Sequence, residues 1–331
     1  MDGRAALETL EPDAVARACD VFADVVEAGP DYAPGRIGLA NAQLLSFEGT
    51  RSDETPDVGA LLAAGQHARE ACRLDPWSGD AWSTLAVVLS RTRFSTEATA
   101  AARRAVALEP DNWRHSVRLA YVTWGEERLH AAHRALTLLP GAALAHWLAA
   151  TVYIARAALE EAERELTTGT QAQKNQPEGE RLGAVGLHLL LGLVRLARGN
   201  ESDALREFDR ELEAGPSAHV YARESCSNAW YAIGAVRLRR GQKKEARAAF
   251  AHALDMVAGH PGALAAIFAA VGEAWGGGAT DQAAQLVHDA LLAAPNRTSS
   301  GWTIPIEPLL HVSAAPDQWS VVLTALRSSA A

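Results

Sequence analysis

The residues best placed to do chemistry are His130 and His133 in "EERLHAAH", with Glu126 and Glu127 before them. Helical residues three or four apart share a face, so a subset of these could converge on a metal ion such as zinc. A tight site also needs hydrogen bonds behind its ligands; the expected reading is solvated polar residues flanking a short helix. The remaining histidines are scattered, and neither a Gly-x-Ser-x-Gly elbow nor a His-Glu-x-x-His pair occurs. The glycine triplet at 276–278 follows no strand and reads as a permissive turn rather than a phosphate cradle. Cys19, Cys72 and Cys226 lie far apart, fit no zinc spacing and read as small buried side chains in a reducing compartment. Without a convergent acid, base and nucleophile, the sequence predicts no enzyme, no metal and no cofactor.

Composition narrows the partners. The net charge of −9 and pI of about 5.7 argue against nucleic acid and against anionic lipid, both of which need a basic footprint. Hydrophobic content of 48% excludes wholesale disorder. The N-terminus lacks the apolar stretch of a signal peptide, and no run of about 18 apolar residues occurs. The expected compartment is the cytoplasm.

The elements that would position a site are announced by prolines. "RLDP" ends at Pro76, "ALEP" at Pro110, "TLLP" at Pro140, "LEAGP" at Pro216 and "LLAAP" at Pro295, while Pro30 and Pro261 close similar segments. Proline just past a helix ends it. Pro76 to Pro110 and Pro261 to Pro295 are each 34 residues, the period of a helix-turn-helix repeat. Between Pro76 and Pro110 lie Trp82, Leu85, Ala86, Leu89, Ala98 and Ala105; before Pro261 lie Trp230, Ile233, Gly234, Gly241, Ala246, Phe250 and Ala253. Small residues sit where helices cross, and large ones fill the wedge between units.

This order of residues resembles the tetratricopeptide (TPR) family. The resemblance implies an all-α, right-handed solenoid of about seven helix-turn-helix repeats with a C-terminal capping helix. Residues 1–30 would hold an unpaired N-terminal helix, 31–174 four repeats, 175–295 three more, and 296–331 a tail ending in the cap. Polar surpluses at 46–57 and 167–181 read as a loop and a linker, and the unit at 111–140 is one turn short. The stretches "FADVVEAGPDYAPGRIGLANAQLL" and "IPIEPLLHVSAAPDQWSVVLTAL" are similar to the TPR half of bacterial regulators that carry a winged-helix, nucleotide cyclase or kinase effector. No effector signature is present, so the resemblance leaves a fragment and a stand-alone relative both open.

The family resemblance further implies that certain first-helix positions line a concave surface that receives a peptide or helix. Those positions hold Tyr121, Trp124, Trp147, Ile154, Leu189, Leu193, Tyr231, Leu238, Phe268 and Trp275. They read either as an aromatic groove for a protein partner or as interior packing, including packing against the tail around 302–310. A carboxylate clamp is not expected: Asn41 fits its pattern, but Ile37 stands where a lysine belongs. Arg91, Arg114 and Arg239 lie near the same surface and read as solvated charges on helix flanks. An alternative function is a small-ligand sensor with a closed apolar interior. Val15, Phe22 and Val26 on the unpaired helix need a cover, which allows a homo-oligomer through that helix.

Overall fold

The computed structural model describes residues 3–51, 53–92, 95–175, 184, 186–257, 284–285, 287–289 and 301–331. All regular elements among them are helical. They are α1 (Gly3–Glu8), α2 (Pro12–Ala28), α3 (Ala33–Thr50), α4 (Val58–Leu74), α5 (Gly79–Ser90), α6 (Ser95–Leu108), α7 (Trp113–Val122), α8 (Gly125–Leu138), α9 (Ala143–Ala155), α10 (Leu159–Asn175), α11 (Leu187–Ala197), α12 (Glu201–Glu213), α13 (Ala222–Arg239), α14 (Lys243–Met256) and α15 (Ser320–Ser329). Most of the unit expected at 262–295, with its glycine triplet, lies outside the described residues.

Local chemistry explains the punctuation. Asp57, Ser78 and Asn112 cap α4, α5 and α7 by accepting from the backbone amides of Ala60, Ala81 and Arg114. Pro30, Pro76, Pro110, Pro140 and Pro216 stand in turns between helices. Helices pack in consecutive pairs, from α3 on α4 through α13 on α14. The first helices also touch one another in sequence, α3 with α5, α5 with α7, α7 with α9 and α11 with α13. That second set of contacts stacks the pairs into a solenoid whose inner face is built from first helices. Alanines permit the close approach: Ala40, Ala68, Ala86, Ala102, Ala120, Ala132 and Ala149 are fully buried at helix crossings. At Gly192 and Gly234 the neighbouring rings of Phe208 and Phe250 occupy the space a side chain would need.

At Gly192 two effects of opposite sign compete. Alanine in a helix interior gains about 1 kcal/mol over glycine, but an added Cβ would sit 2.4 Å from the fully buried Phe208 ring and 3.1 Å from the Ala204 carbonyl. Overpacking of about 1–3 kcal/mol should win. Gly192→Ala is therefore expected to lower stability in urea titration; a variant more stable than the parent would show that this crossing is looser than described.

The structure departs from the sequence expectations in three places. The helix at 13–27 is not unpaired: α1 packs on it, burying Ala6, Ala14 and Ala18 together. Its apolar face is covered from within the chain, with Val15 buried, the Phe22 ring over Gly38 and Val26 beside Gly35. Residues 46–50, expected in a loop, continue α3, because no strong breaker precedes Arg51; likewise residues 167–175 continue α10 rather than starting a linker. The short unit at 111–140 carries its shortening in α7, which has 10 residues and stops at Thr123.

The extension of α3 has a structural role. Glu48, only 2% exposed, pairs with Arg51 at 2.8 Å and with Arg91, and Arg91 in turn reaches the Tyr121 hydroxyl. Arg51 also pairs with Glu224 at the start of α13 through Nε at 2.8 Å and lies over the Tyr221 ring. Beside this hub, Arg223 pairs with Asp53 at 2.7 Å, and the Val220 amide donates to the Leu10 carbonyl at 2.9 Å. The first pairs of the solenoid are thus tied directly to the segment that opens α13.

Candidate functional site

The inner face of α9, α11 and α13 is occupied by the chain's own tail. Residues 301–331 run as a one-turn 3-10 helix at Ile304–Ile306, a second at Val312–Ala314, and then α15. Trp302 meets Trp147 edge to face, with centroids 6.1 Å apart and planes at 79°. Ile306 is buried in one apolar cluster with Ile154, Leu187 and Leu191. Leu309, Leu310 and Trp319 share another with Tyr231, Ala235 and Leu238. The Tyr231 hydroxyl donates to Glu307 Oε1 at 2.5 Å, and the Leu309 amide donates to the same oxygen. Further along, Arg156 donates to the Ala330 carbonyl at 2.6 Å and Ser313 to the Ala197 carbonyl at 2.7 Å.

Five of the ten residues expected on the concave face come together under or beside this tail: Trp147, Ile154, Leu193, Tyr231 and Leu238. Leu189 packs instead between helices, in a cluster with Phe208, Ala229 and Ile233. Tyr121 lies further along, held by Arg91 through both its hydroxyl and its ring face, 5.0 Å away. Trp124 does not sit on a first helix, because α7 ends early; it is the residue before α8 and lies under the Arg128 guanidinium at 4.6 Å. Phe268 and Trp275 lie outside the described residues.

Arg128 was not foreseen. Its guanidinium donates to the carbonyls of Ala120 and Thr123, both at 2.9 Å, and to Thr151 Oγ1 at 2.9 Å. It closes the C-terminal end of α7, where orphan carbonyls and the helix dipole favour a cation. Burial without a facing carboxylate lowers its pKa to about 10, so it stays charged at neutral pH.

The other charges are engaged internally. Arg114 stacks on Trp113 and pairs with Glu8 at 3.2 Å; Arg239 pairs with Glu201 at 2.8 Å. Asn41 donates to the Ile37 carbonyl and Thr84 Oγ1 and accepts from Arg118, so it is a strut between α3, α5 and α7. His130 and His133 diverge: the first faces Glu126 at 3.3 Å and the second Glu165 at 3.3 Å. Glu165 also takes His146 Nδ1 at 2.6 Å. Burial pushes the Glu165 carboxyl up, but hydrogen bonds and charge from His146 and His133 outweigh it and hold the group below the usual carboxylate range. Among the described residues no group of three or more His, Cys, Asp or Glu side chains is placed to hold a metal, and no helix is long and apolar enough to cross a membrane. Burial raises the thiol pKa of Cys72 to about 12 and of Cys226 to about 11, which leaves both as unreactive thiols at neutral pH.

Glu307 places a carboxyl group at the tail contact. Burial raises its pKa, and the bonds from Tyr231 and the Leu309 amide offset only part of that. A docked pKa above the ordinary value means docking is strongest below that ordinary value, near 4.5, and weakens as pH rises through the raised one. Glu307→Gln keeps an Oε1 acceptor for both donors and removes the ionisation. It is expected to raise the melting temperature at neutral pH and to flatten this part of the pH dependence. An unchanged pH profile would mean that Glu307 does not titrate in the docked tail.

Similar architectures occur among solved structures. A chain of the Cut9–Hcn1 heterotetramer of the APC/C matches with a TM-score of 0.58 at 14% identity, over 76% of this chain and 44% of its own length. A monomeric IFIT1 mutant with Gppp-AAAA matches at 0.62 and 16%, over 89% and 68%. The human IFIT1 dimer with PPP-AAAA matches at 0.56 and 18%, over 96% and 69%. The fold is a TPR-like helical solenoid. At these identities the likeness concerns architecture alone, and this chain spans less than half the length of the Cut9–Hcn1 chain it matches. No protein-family model and no curated protein sequence matches it. Within the TPR-like solenoid, the candidate site is the inner face of α9, α11 and α13, with residues 302–310 lying in it.

Proposed function

We propose that the chain is a non-catalytic protein-interaction scaffold that takes a partner segment on the inner face of the solenoid, around Trp147, Ile154, Leu193, Tyr231 and Leu238. The observation that carries this reading is the tail itself: a segment of turns around one 3-10 turn lies in the groove and is held there by side chains. A surface that seats one such segment offers aromatic anchors and a polar handle to another. The resemblance of residues 22–45 and of the tail to bacterial TPR regulators supports a sensory or regulatory role, in which tail and partner compete. A small-ligand sensor has less support, because Trp302, Ile304 and Ile306 stand in the interior such a ligand would need.

The test is affinity capture with three full-length chains: wild type, Trp302→Ala/Ile306→Ser to loosen the tail, and the same chain with Trp147→Ala and Leu193→Ala added. All three are checked for helicity by circular dichroism. A partner retained more strongly by the loosened chain and lost by the third would support the scaffold reading. Equal retention by all three, or none by any, would overturn it.

A further inference from the structure

The tail contact specifies more than the presence of a groove. Five side chains of residues 302–310 are received by side chains of α9, α11 and α13. Trp302 is against Trp147, Ile306 is among Ile154, Leu187 and Leu191, Glu307 is on the Tyr231 hydroxyl, and Leu309 and Leu310 lie with Tyr231 and Ala235. Pro305 and Pro308 have no amide hydrogen, and the turn is closed internally by Ile306 and Glu307 amides to the carbonyls of Thr303 and Ile304. No backbone–backbone hydrogen bond joins residues 301–331 to the helices among the described residues. Recognition is therefore by side chain, and the prolines restrict the free segment before it docks, which lowers the entropy cost of binding. The fit is incomplete: Trp147 Nε1, beside Gly186, is buried with no acceptor among the described residues.

We infer that residues 302–310 stand in for the groove's partner, and that the partner is a short, turn-forming protein segment of the same chemistry: a bulky aromatic anchor, an apolar–proline–apolar turn, and a carboxylate followed by a second apolar pair. The inference rests on the scaffold reading and gives its partner a recognisable pattern. The Tyr231 hydroxyl reads the carboxylate, Trp147 reads the anchor, and the α9–α11 cluster reads the apolar residue before the carboxylate.

The probe is a fluorescein-labelled peptide of residues 301–311, GWTIPIEPLLH, titrated by anisotropy into full-length protein. The receptor is Trp302→Ala/Ile306→Ser, or Ile306→Ala alone if the double variant loses helicity. The loosened chain is expected to bind the peptide about tenfold or more tightly than wild type, whose own tail competes at high effective concentration. A peptide carrying Glu307→Ala should bind the loosened chain about tenfold more weakly, as expected when the buried Tyr231 hydroxyl loses its acceptor. Adding Tyr231→Phe to the receptor should erase that difference between peptides, a coupling that a merely loosened fold would not produce. The inference is overturned if the peptide fails to bind a helical loosened chain, if a scrambled peptide binds equally, or if light scattering shows the loosened chain pairing with a second copy in place of peptide. Should the peptide fail while a captured partner still depends on Trp147 and Leu193, the partner pattern is wrong and the scaffold reading stands. Loss of both overturns both.

Discussion

Trp319→Ala is expected to unseat α15 and to cost about 3–5 kcal/mol, the range for removing a fully buried aromatic side chain. Trp319 is 1% exposed and sits at the start of α15, where Val322, Leu323 and Leu326 join it against Leu309, Val312 and Tyr231. Its indole nitrogen is buried without an acceptor among the described residues, so its contribution there is packing. That separates two variants. Trp319→Phe keeps most of the packed ring and discards an unsatisfied donor, so it should cost less than half as much as the alanine. Urea titration followed by far-UV circular dichroism checks both. Equal costs for the two would mean that the ring's size is not what holds the tail, and a Trp319→Ala chain as stable as its parent would remove the tail from the interior.

Arg128→Ala carries the second large effect. A buried charge is costly to desolvate, and replacing such a residue with an apolar one of similar volume is neutral or stabilising in some proteins. Here the donors are committed to the carbonyls of Ala120 and Thr123 and to Thr151, and the plane lies on Trp124. Removing the residue leaves those acceptors dry at the end of α7. With hydrogen bonds to a charged group worth about 1.5–3 kcal/mol and a stacked cation adding about 1, the loss should be about 3 kcal/mol. Arg128→Met keeps volume but supplies no donor, so it should recover little; Arg128→Lys supplies one compact ammonium that cannot span the same acceptors. A methionine variant at wild-type stability would show that desolvation cancels the cap.

The solenoid was legible in the sequence because its signal is periodic. Prolines sit in the turns, and alanines such as Ala86, Ala98 and Ala105 recur at crossings where only a small side chain fits. The same period picks out Trp147, Ile154 and Tyr231, which the structure buries or half-buries in the clusters that hold the tail. What could not be read was anything set by closure rather than by period. Glu48 and Arg51 fell in a stretch rich in Gly, Ser and acids that resembles a loop; their partners, Arg91 and Glu224, lie 43 and 173 residues away. Trp124 was misplaced by counting, since one missing turn in α7 moved it from an inner face to a helix cap. Arg128 carried no pattern at all: a lone arginine in an acidic helix start looks solvated until the end of α7 is seen above it. Residues 302–310 were named as one candidate cover for the lining, and only their placement decided between filled and open.

An open array of helical repeats can melt from either end, because each unit answers only to its neighbours and unfolding advances unit by unit. The bond between Arg51 and Glu224, with Leu10 joined to Val220, removes that freedom. Units near the N-terminus cannot fray without breaking contacts at α13, and α13 is in turn held by the tail. Unfolding should therefore be a single concerted event for α3 through α13, and folding should be slow for a helical protein, since its last step joins parts of the chain brought together only after everything between them has formed.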